Sequence, residues 1–104
     1  MVINFQPKAE QRLKEIHSFY KQNSKSAADK LLADIKNAVS PLADFPQMAA
    51  LEPILSDFSI SFRSLVVRDN YKIVYFIDEE KEIINIATIW DCRQNPKNLK
   101  KELP

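Results

Sequence analysis

Glycine is absent from all 104 residues of the chain, and this absence excludes two common ways of binding a nucleotide. Walker A loops and dinucleotide-binding fingerprints both need glycine, because the backbone must approach the phosphate closely. There is a single cysteine, Cys92, so no internal disulfide can form and a reducing compartment is expected. Since there is also only one histidine, His17, a zinc site of the usual composition is not expected.

Long apolar runs and an excess of one charge are also missing. No stretch of about 18 apolar residues could cross a membrane, and the first residues lack the basic and apolar regions of a signal peptide. A cytoplasmic protein that does not engage a membrane is therefore expected. Lys and Arg total 15 against 14 Asp and Glu, a balance that does not indicate a dedicated nucleic-acid-binding domain. The length predicts a single domain covering residues 1–104.

The most regular pattern lies in the C-terminal third of the chain. Residues 71–77 and 83–90 alternate with period two and are rich in β-branched and aromatic side chains, which predicts the two strands of a hairpin. Both faces of both strands are largely apolar, so the hairpin is expected in the middle of a sheet. Residues 58–68 are predicted to form the preceding strand. Asp69 and Asn70 would make a tight two-residue turn, because both tolerate left-handed backbone.

The N-terminal half predicts one strand and two helices. Residues 2–5 precede a proline and are predicted to form an outer strand. Residues 8–22 place apolar side chains three and four apart, and so does a second segment that is capped by Ser24 or Ser26 and runs to about Leu42. The short connection between them predicts an antiparallel helical hairpin. Residues 43–57 are predicted to be a connecting loop, and residues 97–104 a short charged tail. The order β-α-α-β-β-β predicts an α+β fold, an antiparallel sheet meander covered on one face by the helical hairpin.

Three basic residues lie on or just beyond successive strands of this meander: Arg63, Lys72 and Arg93. With helices on one face, the other face would be open, and the three side chains would form a small cationic cluster there. Guanidinium and ammonium groups bind phosphate oxygens strongly and can stabilise the charge that develops in phosphoryl transfer. The alternative, which the residues favour equally, is separate ion pairs. Asp91 in particular can pair with Arg93, since alternate residues point the same way.

Aromatic residues lie beside these cations. Tyr71, Tyr75 and Trp90 could stack on the bases of single-stranded RNA; core packing is the alternative, which is favoured for Tyr75 and equally supported for Trp90. Cys92 has no neighbouring base in the sequence that could activate it, and His17 adjoins the apolar stripe of the first helix. Neither of these two residues is therefore predicted to be catalytic.

Two motifs resemble those of the RelE/ParE superfamily, the toxins of type II toxin–antitoxin (plasmid stabilization) systems. In the run RSLVVRDNYKIVYF, residues 71–75 stand where members carry Tyr-Arg-(Ile/Val/Leu)-Val-Tyr. In the run IATIWDCRQNP, Arg93 stands where members carry an arginine at the end of the last strand. Together with the length and the order of elements, the resemblance covers essentially the whole chain.

The resemblance implies a toxin that arrests growth unless a cognate antitoxin wraps it with a helix or an added strand. RelE-like members are mRNA interferases that cut mRNA in the ribosomal A site without a metal, whereas ParE-like members inhibit DNA gyrase without nuclease chemistry. A third possibility is a domain of the same fold that binds its partner and is not toxic. No cofactor is expected in any of these cases. A homodimer through an exposed helix or strand edge is compatible with the sequence, which does not select it.

The residues can be compared with the family pattern one by one. Arg63 stands where RelE-like members carry a basic residue, and Lys72 replaces the motif arginine, keeping the charge but losing the bidentate fork. Leu65 stands where a second lysine is expected, and Leu99 lies near the position of the tyrosine or histidine of active nucleases. Acid–base catalysis then lacks an evident donor. The sequence thus favours gyrase inhibition slightly over mRNA cleavage and leaves open whether the protein is an enzyme.

Overall fold

In the computed structural model, which describes residues 1–103, two α-helices pack against one face of a five-stranded sheet. The elements are β1 (Val2–Phe5), α1 (Pro7–Lys21), α2 (Lys25–Val39), β2 (Ala50–Leu51), β3 (Arg63–Val67), β4 (Tyr71–Asp78) and β5 (Ile83–Asp91). Short 3₁₀ helices span Ser40–Ala43, Pro53–Leu55 and Pro96–Glu102. The strand order is β1-β5-β4-β3-β2, with β1 parallel to β5 and the other neighbours antiparallel. The predicted α+β class is confirmed, and β2 is an additional strand inside the predicted loop.

Each α-helix begins at a residue suited to that place. Pro7 opens α1, where its missing N–H removes no helical hydrogen bond. Ser24 caps α2, because its Oγ accepts a hydrogen bond from the backbone N–H of Ala27 at 3.1 Å. The residues that the helices bury recur at helical spacing: Ala9, Leu13, Ala28, Leu31, Ile35 and Val39. Within residues 1–103, no helix combines the length and the apolar character needed to span a bilayer.

In both hairpin turns, residues other than glycine adopt the left-handed backbone conformation. Arg68 and Asp69 have φ angles of 53° and 62° in the β3–β4 turn, and Glu82 has a φ of 56° before β5. Val67 pairs with Tyr71, so the β3–β4 loop contains three residues rather than the predicted two. Since side chains alternate between the faces of a strand, this difference of one residue changes the face that each β3 side chain occupies relative to β4.

A β-bulge interrupts the alternation of β5. Val74 pairs with Thr88 while the next residue, Tyr75, pairs with Ile86, so Ala87 is the extra residue. The regular alternation predicted for this strand is therefore wrong beyond Ile86. The helix-facing residues of β5 have even numbers before the bulge and odd numbers after it: Ile84, Ile86, Ile89 and Asp91.

The sheet carries an apolar cluster on each face, so the face predicted to be open is covered. Its cover consists of residues 53–62 and the C-terminal 3₁₀ helix, Pro96–Glu102. Leu99 of that helix is fully buried, which corrects the prediction of a short charged tail. The physical reason is that this face of the sheet is itself apolar and gains stability from burial. The buried residues of this second cluster are Leu55, Phe62, Val74, Ala87, Trp90, Leu99 and Leu103.

Candidate functional site

Arg63, Lys72 and Arg93 do not form the predicted cationic cluster. Arg63 pairs across the sheet with Tyr75 on the helix side, whereas Lys72 pairs with Trp90 on the opposite face. The three-residue β3–β4 loop is the cause, because a two-residue turn would have placed Arg63 and Lys72 on one face. The predicted geometry is therefore wrong, and a role of these three side chains in target binding stays a prediction.

Lys72 is held by a buried carboxylate that the sequence analysis did not identify. Glu52 is 3% exposed, and it accepts hydrogen bonds from Lys72 Nζ, from Ser64 Oγ at 2.9 Å and from the backbone N–H of Ile54 at 3.0 Å. Burial by itself raises the pKa of Glu52, but these hydrogen bonds together lower it below the ordinary 4.5. The charge of Lys72 is thus neutralised, and a phosphate would have to break a buried ion pair to reach it.

Arg63 holds the segment before β2 against the sheet. Its Nη1 donates to the carbonyl oxygen of Ala49 at 2.7 Å. The hydroxyl of Tyr75 donates to the carbonyl oxygen of Pro46, also at 2.7 Å. Tyr75 is fully buried and Arg63 partly buried, so the two side chains together anchor residues 46–49.

Four of the predicted residues do meet, around a cavity of about 430 Å³ at the end of β5. The cavity lies between α1, the end of β5 and the C-terminal 3₁₀ helix. The predicted residues in its lining are Tyr71, Trp90, Asp91 and Arg93. Lining residues that were not predicted to belong to a site include Arg12, Phe19, Tyr20 and Lys101. Tyr20 lies on the predicted apolar face of the first helix, whereas the helical phase of residues 12 and 19 gave no sign that they line a site.

Asp91 fixes the orientation of the Arg93 guanidinium. Arg93 Nε and Nη2 donate to the two carboxylate oxygens of Asp91 at 3.0 and 2.9 Å, and the backbone N–H of Arg93 donates to the first of them at 2.9 Å. The Arg93 side chain is nevertheless 60% exposed. The predicted pair between these residues is therefore present on an exposed side chain. Hydrogen bonds from Arg93 hold the pKa of Asp91 below its ordinary value.

Two tyrosines form the aromatic wall beside this guanidinium. The Tyr71 hydroxyl donates to the Tyr20 hydroxyl at 3.3 Å, and the guanidinium carbon of Arg93 lies 6.0 Å from the centre of the Tyr71 ring. Burial raises the pKa of Tyr71, while the hydrogen bond from Tyr71 lowers the pKa of Tyr20. Phe19 stands edge-on to Tyr20 at 5.5 Å and is 62% exposed. The cavity thus presents an exposed aromatic ring beside an exposed, oriented cation.

The opposite wall is closed by an ion pair between α1 and the C-terminal 3₁₀ helix. Arg12 Nε and Nη2 donate to the two carboxylate oxygens of Glu102, both at 2.7 Å. Glu102 also accepts a hydrogen bond from Thr88 Oγ1 at 3.2 Å. The hydrogen bonds from Arg12 lower the pKa of Glu102 despite its partial burial. This network joins three separate elements and gives the cavity a fixed wall.

The carboxyl groups around the cavity are held ionised, and the single histidine of the chain lies outside it. These carboxylates, Glu15, Asp91 and Glu102, all have lowered pKa values because an arginine donates hydrogen bonds to each. His17 lies outside the cavity and pairs with a carboxylate of α2, and burial raises the pKa of the Cys92 thiol. In the part of the chain that the structure describes, no three His, Cys, Asp or Glu side chains are grouped as metal ligands.

Comparison with known proteins relates this architecture to one family. Residues 3–96 match the family model for the ParE toxin of type II toxin–antitoxin system, parDE. Among solved structures, the chain is similar to one described as the chromosomal ParDE TA system from P. aeruginosa, with a TM-score of 0.72 and 22% identity. That match covers 88% of this chain and 95% of the other, and at this identity it shows a shared fold. No curated protein matches the chain in sequence.

Proposed function

The chain belongs to the family of ParE toxins of type II toxin–antitoxin systems, and from this premise we propose that it arrests growth by inhibiting DNA gyrase. Family membership confirms the resemblance to the RelE/ParE superfamily and implies an antitoxin as the partner that neutralises the protein. The choice of gyrase over translated mRNA is the proposal.

The separation of the three basic residues is the observation that carries this choice. A metal-independent ribonuclease needs cations gathered around the scissile phosphate and an acid–base group beside them. Here Arg63 and Lys72 occupy opposite faces, and a buried carboxylate neutralises Lys72. Leu99, which lies near the expected acid–base position, is buried under the sheet. Inhibition of a protein target needs only a binding surface, so this arrangement is compatible with it.

The cavity around Arg93 is the surface we assign to the target. Arginine, tyrosine and tryptophan are the residues most often responsible for binding energy in protein interfaces. The orientation of the guanidinium by Asp91 and Tyr71 reduces the conformational entropy lost on binding. The exposed Phe19 ring adds apolar area next to this charge. Such a surface fits an apolar side chain flanked by a carboxylate on the target.

We expect the purified protein to inhibit supercoiling of relaxed plasmid DNA by gyrase in a dose-dependent manner. The parallel measurement is primer extension on an mRNA that is being translated in a purified extract, where the transcript should remain intact. Cuts at A-site codons together with unaffected gyrase would contradict the proposal and establish a ribosome-dependent nuclease. Absence of both activities, with no arrest of growing cells, would identify a non-toxic partner-binding domain instead.

Arg93→Ala should weaken gyrase inhibition by about tenfold or more, as expected for a hot-spot residue of an interface. Its ion pair is exposed, so the midpoint of urea unfolding should stay close to that of the wild type. Arg68→Ala is the matched control, because Arg68 makes a similar exposed pair with Asp34 outside the cavity. Equal inhibition by the Arg93 variant and the wild type would remove the cavity from the proposed mechanism.

A further inference from the structure

The outer edge of β1 carries backbone groups without a partner. On the side that faces β5, the backbone N–H groups of Val2 and Gln6 donate hydrogen bonds to the carbonyl oxygens of Glu82 and Ile86, at 3.1 and 2.9 Å. Because backbone groups alternate in direction along a strand, the N–H and C=O groups of Ile3 and Phe5 point away from β5. Among residues 1–103, no backbone hydrogen bond is made by either residue on this outer side. The edge therefore presents two donors and two acceptors in a row.

Nothing in the sequence of β1 protects this edge. Natural proteins usually block an exposed edge with a charged residue, a proline, a bulge or a very short strand. Residues 2–5, VINF, contain no charge and no proline, and they pair with β5 in an unbroken register. The opposite edge differs, because β2 has only two residues and the adjoining segment is anchored by Arg63 and Tyr75. Of the two edges, β1 is the one open to strand addition.

We propose that a second copy of this chain pairs with β1, antiparallel and with the two-fold axis at Asn4. In this register Ile3 lies opposite Phe5 of the second copy, and each such pair exchanges both of its N–H···O=C hydrogen bonds. Every free donor and acceptor of the edge is then satisfied by the same groups of the other copy. The uncharged edge offers nothing that would select an oppositely charged partner, and the net charge of +1 opposes self-association little.

The side chains of the exposed face also suit this pairing. Asn4 is exposed and donates from Nδ2 to Asn85 Oδ1 at 3.1 Å. The two-fold axis places Asn4 beside Asn4 of the second copy, so the amide pair continues as a ladder across the interface. Val2 is 68% exposed in the single chain, and β1 of the second copy would cover part of it. Pro7 has no N–H and starts α1, so the pairing ends at Gln6 and the interface is small.

A small interface predicts weak, concentration-dependent dimerisation. Light scattering or sedimentation of the whole chain should show the mass rising from one chain to two between about 5 µM and about 500 µM, a range suited to an interface at the low end of known sizes. Asn4→Lys should keep the protein monomeric throughout, because it places like charges together at the axis. Asn4→Ser, which also removes the bond to Asn85 but adds no charge, should still dimerise within this range, at a somewhat higher concentration than the wild type because the amide ladder is lost. Circular dichroism spectra identical to that of the wild type would show that both variants are folded.

Cross-linking tests the register directly. In a Cys92→Ser background, Asn4→Cys should form an interchain disulfide on oxidation, because a non-hydrogen-bonded antiparallel pair has Cα atoms about 4.5 Å apart, inside the disulfide range. Val2→Cys in the same background should not, since Val2 lies opposite Gln6. A protein that stays monomeric over the whole range, or a dimer that Asn4→Lys leaves intact, would overturn the proposal. Neither measurement involves gyrase or mRNA, so the result is independent of the proposed target.

Discussion

Replacing Glu52 by glutamine should lower the free energy of unfolding by about 3 kcal/mol, the low end for breaking a buried ion pair. The Glu52 carboxylate is almost fully buried. Within residues 1–103, it is the only carboxylate that forms a salt bridge with Lys72. Glutamine keeps the shape but leaves the ammonium of Lys72, whose side chain is 27% exposed, without its counter-charge. Urea denaturation at neutral pH measures the loss. Glu80→Gln, which removes an exposed carboxylate, should stay within about 0.5 kcal/mol of the wild type.

Substituting Lys72, the partner of Glu52, shows how much of this loss comes from the ion pair itself. Lys72→Met should destabilise as well, because it leaves the Glu52 carboxylate buried without a cation. The double variant Glu52→Gln/Lys72→Met should be more stable than the sum of the two single losses predicts, since it leaves no unpaired charge. Strictly additive losses would show that the two side chains do not interact and would contradict the arrangement described above.

The Glu52 carboxylate should also make the free energy of unfolding depend on pH in the acidic range. The folded-state pKa of Glu52 lies below its ordinary 4.5, so its contribution is fully present above about pH 4.5 and is lost as the pH falls through the lowered pKa. Glu52→Gln has no carboxylate to protonate at this position. The free energy of unfolding of that variant should therefore fall less steeply below pH 4.5 than that of the wild type.

Leu99→Ala should cost about 3 kcal/mol, a typical value for truncating a fully buried leucine. Leu99 packs in the second apolar cluster with Val74, Trp90 and Leu103, and it holds the C-terminal 3₁₀ helix on the sheet. Lys97→Ala removes an exposed side chain from the same helix and should change the free energy of unfolding by less than about 0.5 kcal/mol.

A single tryptophan reports on this region. Trp90 is the only one in the chain and is 6% exposed beneath the C-terminal segment. In Leu99→Ala its fluorescence should shift to the red at urea concentrations below the main unfolding transition, because the weakened segment opens first. A wild-type emission spectrum up to that transition, with unchanged stability, would show that this segment contributes little to the fold.

The helices and the central hairpin could be predicted because their patterns are long and local. Two helices with apolar stripes follow from spacing alone, and Ser24 was one of two serines, with Ser26, whose residue type suits the cap of the second helix. The paired strands β4 and β5 follow from their period-two patterns. The pair between Asp91 and Arg93 was also accessible, since two residues so close in sequence need no knowledge of the sheet register.

The site was less predictable because it depends on the register and on distant segments. A single extra loop residue decides whether Arg63 and Lys72 share a face, and no local pattern distinguishes a two-residue turn from a three-residue loop built on Arg68 and Asp69. The bulge at Ala87 has the same effect on β5. Glu52 contacts a strand far from it in sequence, and such a contact leaves no periodic signal. Tyr20 follows the apolar spacing of the first helix, but that spacing does not say which strand its hydroxyl meets.

The glycine-free turns have a consequence for the unfolded chain. Holding left-handed backbone at Arg68, Asp69 and Glu82 destabilises the folded state, by about 1 kcal/mol for each residue that is not glycine. A chain without glycine, however, explores fewer backbone conformations when unfolded and so loses less conformational entropy on folding. The free-energy cost of the strain at the two turns is thus offset by the lower conformational entropy of the whole unfolded chain, and not by any contact of the folded protein.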